Sequence, residues 1–137
     1  MSETPDSGAE EPFDVFVSHA SKDGDVAARV TAQLEAGGLK CWIAPRDVSA
    51  AQKYSVAISQ GLRGSRVFLL LLSKASNASE AVFNETEMAF RYRRHIAVLR
   101  VEDVEPSEQL EFFVNARQRV DGLGLSLIHI SEPTRPY

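Results

Sequence analysis

The run RVFLLLL at residues 66–72 decides the fold, because its last six residues are the longest apolar stretch of the chain. A strand that is hydrophobic on both faces is typical of the centre of a parallel sheet. Around it, strands are predicted at 13–17, 39–43, 66–72, 96–101 and 118–120, and helices at 25–36, 54–62, 79–93 and 107–114. Five strands separated by helices predict an α/β fold: a five-stranded parallel sheet of order 2-1-3-4-5 with helices on both faces.

The composition favours one globular domain with an ordinary core. The chain has 137 residues, of which 44% are hydrophobic and 25% charged, and its net charge is -4. Without a basic field, nucleic acid is not an expected partner. No apolar run approaches the roughly 20 residues of a membrane span, and the lone Cys41 cannot form an internal disulfide. The N-terminus lacks the basic and apolar regions of a signal peptide, so we expect a cytoplasmic protein with no membrane contact.

Both ends of the chain differ from the rest. Residues 1–12 are small, polar and acidic, which predicts a disordered leader. Residues 123–137 include LSLIHISEPTRPY, a stretch with neither an amphipathic period nor a helix cap, and we interpret them as a non-native or disordered tail. The domain is therefore expected to span residues 13–122.

Glu85 is a carboxylate in an apolar position. On a helical wheel of about 100° per residue, it lies among the apolar residues of the 81–92 segment, which are Ala81, Val82, Met88, Ala89 and Tyr92. Asn84, Glu87 and Arg91 lie opposite. Burying an uncompensated charge costs several kcal/mol, so such a carboxylate either pairs with a cation, for which Arg46 and Lys53 are candidates, or opens onto a pocket.

The predicted strand order places a crevice next to Glu85. In a parallel sheet, ligands bind beyond the carboxyl ends of the strands where the strand order reverses, here between strands 1 and 3. The loops at that point are SHASKD (18–23) and SKASNAS (73–79), and Glu85 lies in the helix after the second. A lone carboxylate at a pocket suits cleavage of an N-glycosidic bond, because it can stabilise an oxocarbenium-like ribosyl cation without a second carboxylate when the leaving base is already cationic.

Other candidate residues have structural as well as functional interpretations. Asn77 and Glu80 have the spacing of a helix cap. His19 is either a ligand contact or a loop histidine, and Trp42 is either core or binding surface. If strand 2 is regular, Cys41 points to the face opposite Trp42. The histidines lack partners at metal-ligand spacing, so no metal site is predicted, and no P-loop, G-x-G-x-x-G or G-x-S-x-G motif occurs.

Four blocks, in this order and spacing, resemble the Toll/interleukin-1 receptor (TIR) domain family and most closely its bacterial members. They are FDVFVSHASKD (13–23), GLKCWIAPRDV (38–48), SRVFLLLLSKASNAS (65–79) and AVFNETEMAF (81–90). The resemblance implies a flavodoxin-like fold and a BB loop, here residues 44–53. It implies either cleavage of NAD+ at a glutamate of the third predicted helix or, alternatively, a non-enzymatic TIR–TIR docking module in signalling.

Carried over by position, the catalytic glutamate of the family falls on Glu85. The resemblance implies that NAD+, bound as a substrate with no further cofactor, contacts Ser18, His19, Ala20, Trp42, Ala44, Arg46, Asp47, Tyr54 and Ser79. The expected activity is that of an NAD+ glycohydrolase or cyclase. The resemblance also suggests a microbial immune effector, for example in antiphage defence, that is activated by self-association through the BB loop when a sensor domain of a longer protein clusters it.

Overall fold

The fold is a three-layer α/β arrangement around one parallel sheet. The computed structural model describes residues 12–114 and 119–121. The strands are β1 (Phe13–Ser18), β2 (Cys41–Ile43), β3 (Ser65–Leu72), β4 (His95–Arg100) and β5 (Arg119–Asp121), and they lie in the order β2-β1-β3-β4-β5. All four neighbouring pairs are parallel. The predicted α/β class, strand order and central position of the apolar run are confirmed.

The helices cover both faces of this sheet. They are α1 (Gly24–Ala36), α2 (Tyr54–Arg63), α3 (Lys74–Asn77), α4 (Glu80–Arg91) and α5 (Glu108–Glu111), and a 3₁₀ turn at Ser21–Asp23 precedes α1. Alternate side chains of β3 enter different cores. Phe68, Leu70 and Leu72 pack with residues of α2, α4 and α5, whereas Leu71 packs with residues of α1. No helix among the described residues is long and apolar enough to cross a membrane.

Strand β2 sends its side chains to both cores, as predicted. Cys41 packs in the core under α1, and Trp42 packs in the core on the α2 and α4 side. The thiol of Cys41 is buried, and burial raises its pKa to about 11. Packing is therefore the role of this cysteine.

Local capping differs from the prediction around the third strand. The stretch 73–79, expected to be a loop, contains the short helix α3, because Ser73 caps it by accepting a hydrogen bond from the backbone N–H of Ser76. Helix α4 is capped by Ser79, which accepts from the N–H of Val82 at 3.1 Å. The predicted cap at Asn77 is wrong, since its side chain instead joins the segment before α5 by accepting from the N–H of Ser107.

Predictions at the two ends lie largely outside the described residues. The disordered leader was expected at residues 1–12, of which only Pro12 is described, and it is exposed. The non-native tail at 123–137 lies wholly outside. The last predicted helix is shorter than expected, because it spans Glu108–Glu111 rather than 107–114.

Candidate active site

Glu85 and Ser18 meet across the crevice that the strand order predicts. Ser18 is the last residue of β1 and is 1% exposed, and Glu85 lies in the middle of α4. The Ser18 hydroxyl donates a hydrogen bond to Oε1 of Glu85 at 2.7 Å. The helix buries Val82, Thr86 and Ala89 against the sheet, and this packing turns the carboxylate toward the end of β1.

The protonation of Glu85 is strongly perturbed. Burial raises the pKa of this carboxyl to about 7, and the hydrogen bond from Ser18 opposes the rise. The alternative that Glu85 pairs with Arg46 is not observed, because the Arg46 guanidinium contacts Glu35 and Asp47, each at 2.9 Å. Nor does Lys53 form an ion pair with it in the described part of the chain. A carboxyl that titrates near neutral pH without a cationic partner is typical of functional sites.

Glu85 forms part of the wall of a cavity of about 310 Å³, called here the Glu85 cavity. Its lining residues are Phe16, Val17, His19, Ser21, Gly24, Trp42, Ala44, Pro45, Tyr54 and Glu85. Five of the ten predicted site residues are therefore brought together: His19, Trp42, Ala44, Tyr54 and Glu85. The volume lies at the lower end of the roughly 300–1,000 Å³ found for small-molecule sites.

An aromatic stack forms the rigid side of this cavity. The rings of Phe16 and Trp42 lie 4.9 Å apart and nearly parallel, at 8°, and Phe68 continues the stack at 5.7 Å from Phe16. Trp42 also packs against Gly61 of α2, where a Cβ atom would lie only 2.7 Å from the indole ring. Phe16 was missed as a site residue, although its register partner on β2 is Trp42, so the strand pairing was a signal for it.

His19 directly follows the last residue of β1 and is partly buried. Burial lowers the pKa of this imidazole, and the charge of Asp23 and the carbonyl of Val17 oppose the fall. Burial therefore favours the neutral form of this ring. Asp23 has a further role, because its carboxylate accepts a 2.5 Å hydrogen bond from the Ser73 hydroxyl and so ties together the loops after β1 and β3.

The sequence model of the TIR domain family matches residues 15–126. This chain belongs to the TIR domain family. No curated protein is similar enough in sequence to count as a match.

Solved TIR structures share this fold at low sequence identity. The TIR domain of the Toll-related receptor TRR-2 from Hydra magnipapillata has a TM-score of 0.71 at 17% identity, covering 82% of this chain and 86% of that one. A metazoan TIR-STING receptor from C. gigas has a TM-score of 0.65 at 19% identity, covering 91% and 41%. The TIR domains of the activated Roq1 resistosome, which directly recognises the pathogen effector XopQ, have a TM-score of 0.61 at 16% identity, covering 68% and 59%. These likenesses confirm the flavodoxin-like TIR fold.

The BB loop of this TIR domain begins with a closed turn. The carboxylate of Asp47 accepts from the backbone N–H of Ile43 at 2.9 Å, and the N–H of Asp47 donates to the carbonyl of Ile43 at 2.9 Å. Arg46 donates to the carbonyl of Cys41 at 2.9 Å as well as to Glu35 and Asp47. Arg46 and Asp47, both predicted as NAD+ contacts, thus hold the start of the loop and do not line the Glu85 cavity.

The remaining predicted residues lie around the cavity. Ser18 does not line the cavity itself, but it donates a hydrogen bond to Glu85, which does. Tyr54, at the start of α2, is 56% exposed, and burial and the charge of Glu85 raise its pKa. Ala20 is buried and Ser79 caps α4, and neither is among the lining residues. Among the described residues no group of three or more His, Cys, Asp or Glu side chains could hold a metal ion.

Proposed function

We propose that this TIR domain is an NAD+ nucleosidase, a glycohydrolase or cyclase that cleaves the bond between nicotinamide and ribose. The observation that carries the proposal is the Glu85 carboxylate, which has no cationic partner within residues 12–114 and lies in a cavity wall beside an aromatic stack. A cationic ligand can supply the positive charge that would pair with this carboxylate. The nicotinamide ring of NAD+ is such a cation, and so is the ribosyl centre that forms as it leaves.

Glu85 would act by stabilising positive charge at the ribose. As the N-glycosidic bond breaks, its electron pair stays with the ring nitrogen, nicotinamide leaves neutral, and positive charge develops on the ribose. A fixed carboxylate in a partly desolvated site stabilises that charge more strongly than water does. Water then attacks to give ADP-ribose, or an adenine nitrogen attacks to give a cyclic product.

The ionisation state of Glu85 fits this role. With a pKa of about 7, the free carboxyl is about half ionised at neutral pH. A bound nicotinamide cation favours the ionised form, so substrate binding itself generates the active state. The Ser18 hydroxyl acts in the same direction, because it donates its hydrogen bond to the carboxylate.

Self-association is the second part of the proposal. A BB loop (44–53) that contacts a neighbouring copy would be fixed in its productive conformation. Substrate binding would then lose less conformational entropy, because the loop is already ordered. We therefore propose a cytoplasmic microbial immune effector in which a sensor domain of a longer protein clusters these domains and activates NAD+ cleavage.

A non-enzymatic docking module is the second candidate, and a surface aromatic cluster supports it. Phe90 of α4 and Phe112 after α5 are 51% and 76% exposed, and their rings lie 6.4 Å apart, with Phe113 in contact with both. Exposed apolar patches mark protein interaction sites. In this function Glu85 would be dispensable, whereas Arg46 and Asp47 would be essential.

Nicotinamide release from NAD+ tests the first candidate against the second. The assay uses the 137-residue chain, dispersed and with a crowding agent, and the variants Glu85→Gln and Glu87→Gln. Glu87 is the matched control, because it lies on the same helix but pairs with Arg91 at 3.2 Å on the outer surface. Release that is lost in Glu85→Gln and kept in Glu87→Gln supports the nucleosidase. If the wild type self-associates but releases no nicotinamide, either dispersed or with the crowding agent, the result supports the docking module.

A further inference from the structure

A pocket rich in arginine lies at the C-terminal end of α4, far from Glu85. Its volume is about 480 Å³, and it is lined by Phe90, Arg91, Arg93 and Arg94. Arg94 donates to the carbonyl of Ser65, the first residue of β3, at 3.0 Å. The pocket therefore lies at the edge of the sheet where the strands begin, whereas Glu85 lies beside the end of β1. These four lining residues and Phe112, whose ring contacts that of Phe90, are called here the arginine surface.

Arg93 has a backbone conformation that favours glycine. Its φ is +60°, and no other non-glycine residue in the described part of the chain has a positive φ. The N–H of Arg93 donates to the carbonyl of Phe90, and that of Arg94 to the carbonyl of Ala89, which is the helix ending that usually has glycine at this position. The side chain of Arg93 is exposed and forms no ion pair within residues 12–114. A strained residue whose side chain the fold does not use points to a function for that side chain.

The negative charge of this chain is concentrated before Pro12. Residues 1–11 contain four acidic residues and no Lys or Arg, and the acidic residues are Glu3, Asp6, Glu10 and Glu11. They account for the whole net charge of -4, so the rest of the chain has as many basic as acidic side chains. Met1 is the only large apolar residue among them. Such a segment cannot bury a core of its own, and charge is the main interaction that it offers.

The acidic segment enters the fold next to the arginine surface. Pro12 lines a groove together with Arg63. The guanidinium carbon of Arg63 lies 5.1 Å from the ring centre of Tyr92, and Tyr92 directly precedes Arg93. Eleven extended residues reach at most about 36–40 Å, which exceeds the roughly 30 Å diameter of a small domain. Residues 1–11 are therefore long enough to cover the arginine surface from their attachment at Pro12.

We propose that residues 1–11 bind to the arginine surface of their own chain and cover it. Their carboxylates pair with the guanidinium groups. Each such pair is weak because it is exposed, but the covalent linkage raises the effective concentration of the segment at the surface. The bound segment shields Phe90 and Phe112, so a docking partner must displace it before it can reach these rings. The proposal does not depend on NAD+ cleavage.

A spin label in the acidic segment tests this assignment in the full chain. Ser7→Cys provides the labelling site, and the thiol of Cys41 is buried and so protected from the reagent. In an isotope-labelled chain, the unpaired electron broadens the amide NMR signals of nearby residues. We expect loss of the signals of Phe90, Arg93 and Phe112. Salt at about 1 M, where the Debye length is about 3 Å, should restore them.

The opposite edge of the sheet provides the internal control. Lys22 and Ala75 line a pocket that follows the ends of β1 and β3, and their signals should not change. Uniform broadening at both edges would mean that the segment has no preferred surface, which overturns the proposal. Unaffected signals of Phe90 and Arg93 overturn it as well.

Arg93→Gly separates binding of the segment from folding. It removes the cation and also relieves the positive φ, so the free energy of unfolding should not fall, whereas the signal of Phe90 should return. Arg29→Gln is the control, because Arg29 is exposed on α1 and its loss removes one positive charge from another surface. If Phe90 is broadened equally in the two variants, Arg93 does not hold the segment and the proposal is overturned.

A mixing experiment distinguishes binding within one chain from binding between two copies. A spin-labelled chain without isotope is mixed with an isotope-labelled chain without a spin label. We expect the signals of Phe90 and Arg93 to remain in this mixture, which supports binding within one chain. Loss of these signals to the same extent as in the doubly labelled chain assigns the surface to a second copy and overturns the proposal. Neither result involves nicotinamide release, so the outcome is independent of the nucleosidase function.

Discussion

The Ser18 hydroxyl and the Glu85 carboxylate are 67 residues apart in the chain and 2.7 Å apart in the fold. Removing this contact changes the charge state of Glu85 in a predictable direction, because the Ser18 hydrogen bond is the force that holds the pKa down against burial. For wild type, we expect kcat/KM for NAD+ to rise with pH through an inflection near pH 7.

In Ser18→Ala we expect that inflection to move up by about one pH unit and kcat/KM at pH 7 to fall roughly three- to tenfold. The measurement is a pH–rate profile of nicotinamide release. Ser55→Ala, at an exposed position of α2, is the control and should keep the wild-type profile. An unchanged inflection in Ser18→Ala would mean that this hydroxyl does not tune Glu85.

Glu85 also makes stability depend on pH, and this can be tested without any substrate. The folded pKa of about 7 lies above the ordinary value of 4.5. Between these two pH values the folded chain keeps a proton that the unfolded chain has released, so stability falls as pH rises from 4.5 to 7 and is level beyond. At about 1.4 kcal/mol for each pH unit between the two values, the full loss is about 3–4 kcal/mol, and about 3 kcal/mol of it falls between pH 4.5 and pH 7.5 because titration is gradual.

Glu85→Gln cannot titrate, so its free energy of unfolding relative to wild type should increase by that amount from pH 4.5 to pH 7.5, as urea titrations would measure. Glu87→Gln should track wild type across the range, because Glu87 lies in an exposed pair. A constant difference between Glu85→Gln and wild type at all pH values would show that this carboxyl has an ordinary pKa.

Gly61 and Trp42 give a third prediction. A methyl group at Gly61 would meet the indole ring of Trp42 at 2.7 Å, and Phe16 stacks on the same ring. Gly61→Ala therefore displaces Trp42, which lines the Glu85 cavity, at a cost of about 1–3 kcal/mol for overpacking. Trp42 is the single tryptophan of the chain, so a shift of its fluorescence spectrum reports the displacement directly.

We expect Gly61→Ala to shift this spectrum, lower the free energy of unfolding and raise the KM for NAD+. Gly24→Ala is the matched control for stability, because the added carbon would have no heavy atom of another described segment within 4 Å. If Gly61→Ala keeps the wild-type spectrum and stability, α2 can move away, and Gly61 does not position Trp42.

The position of Glu85 was predictable from sequence because two general rules place it. The helix period places it in the apolar arc, and the strand order places α4 beside the end of β1. The wheel was less accurate at the first turn of the helix, where Ala81 is exposed although it lies in the same arc. Its neighbour Val82 is fully buried, and periodicity alone carries no information about where a neighbouring layer stops.

The contribution of α1 was not predictable in this way. Thr31 and Ala28 of α1 line a second cavity, of about 250 Å³, together with Pro45 and Arg46 of the BB loop, because α1 packs over β2. That placement depends on side-chain packing between segments distant in sequence. The caps at Ser73 and Ser79 were missed for a similar reason, since several serines in one short stretch have equal capping propensity and tertiary contacts choose among them.

A change at Asp47 tests self-association separately from catalysis. Its carboxylate closes the turn at the start of the BB loop by accepting from the N–H of Ile43 and from Arg46. Asp47→Ala leaves that N–H and the guanidinium without this acceptor, so the BB loop becomes more mobile. Because the loop must then be ordered when two copies dock, self-association becomes weaker. We expect a lower weight-average mass in concentration-dependent sedimentation and a loss of crowding-induced NAD+ cleavage of about tenfold or more.

In the same sedimentation experiment, Glu85→Gln should assemble like wild type, because its side chain faces the cavity rather than the loop surface. Asp25→Ala, at an exposed position of α1, controls for the loss of one negative charge. Normal assembly of Asp47→Ala with reduced cleavage would instead assign Asp47 to the substrate site. Impaired assembly of Glu85→Gln would contradict the separation of the two surfaces, because one residue would then serve both.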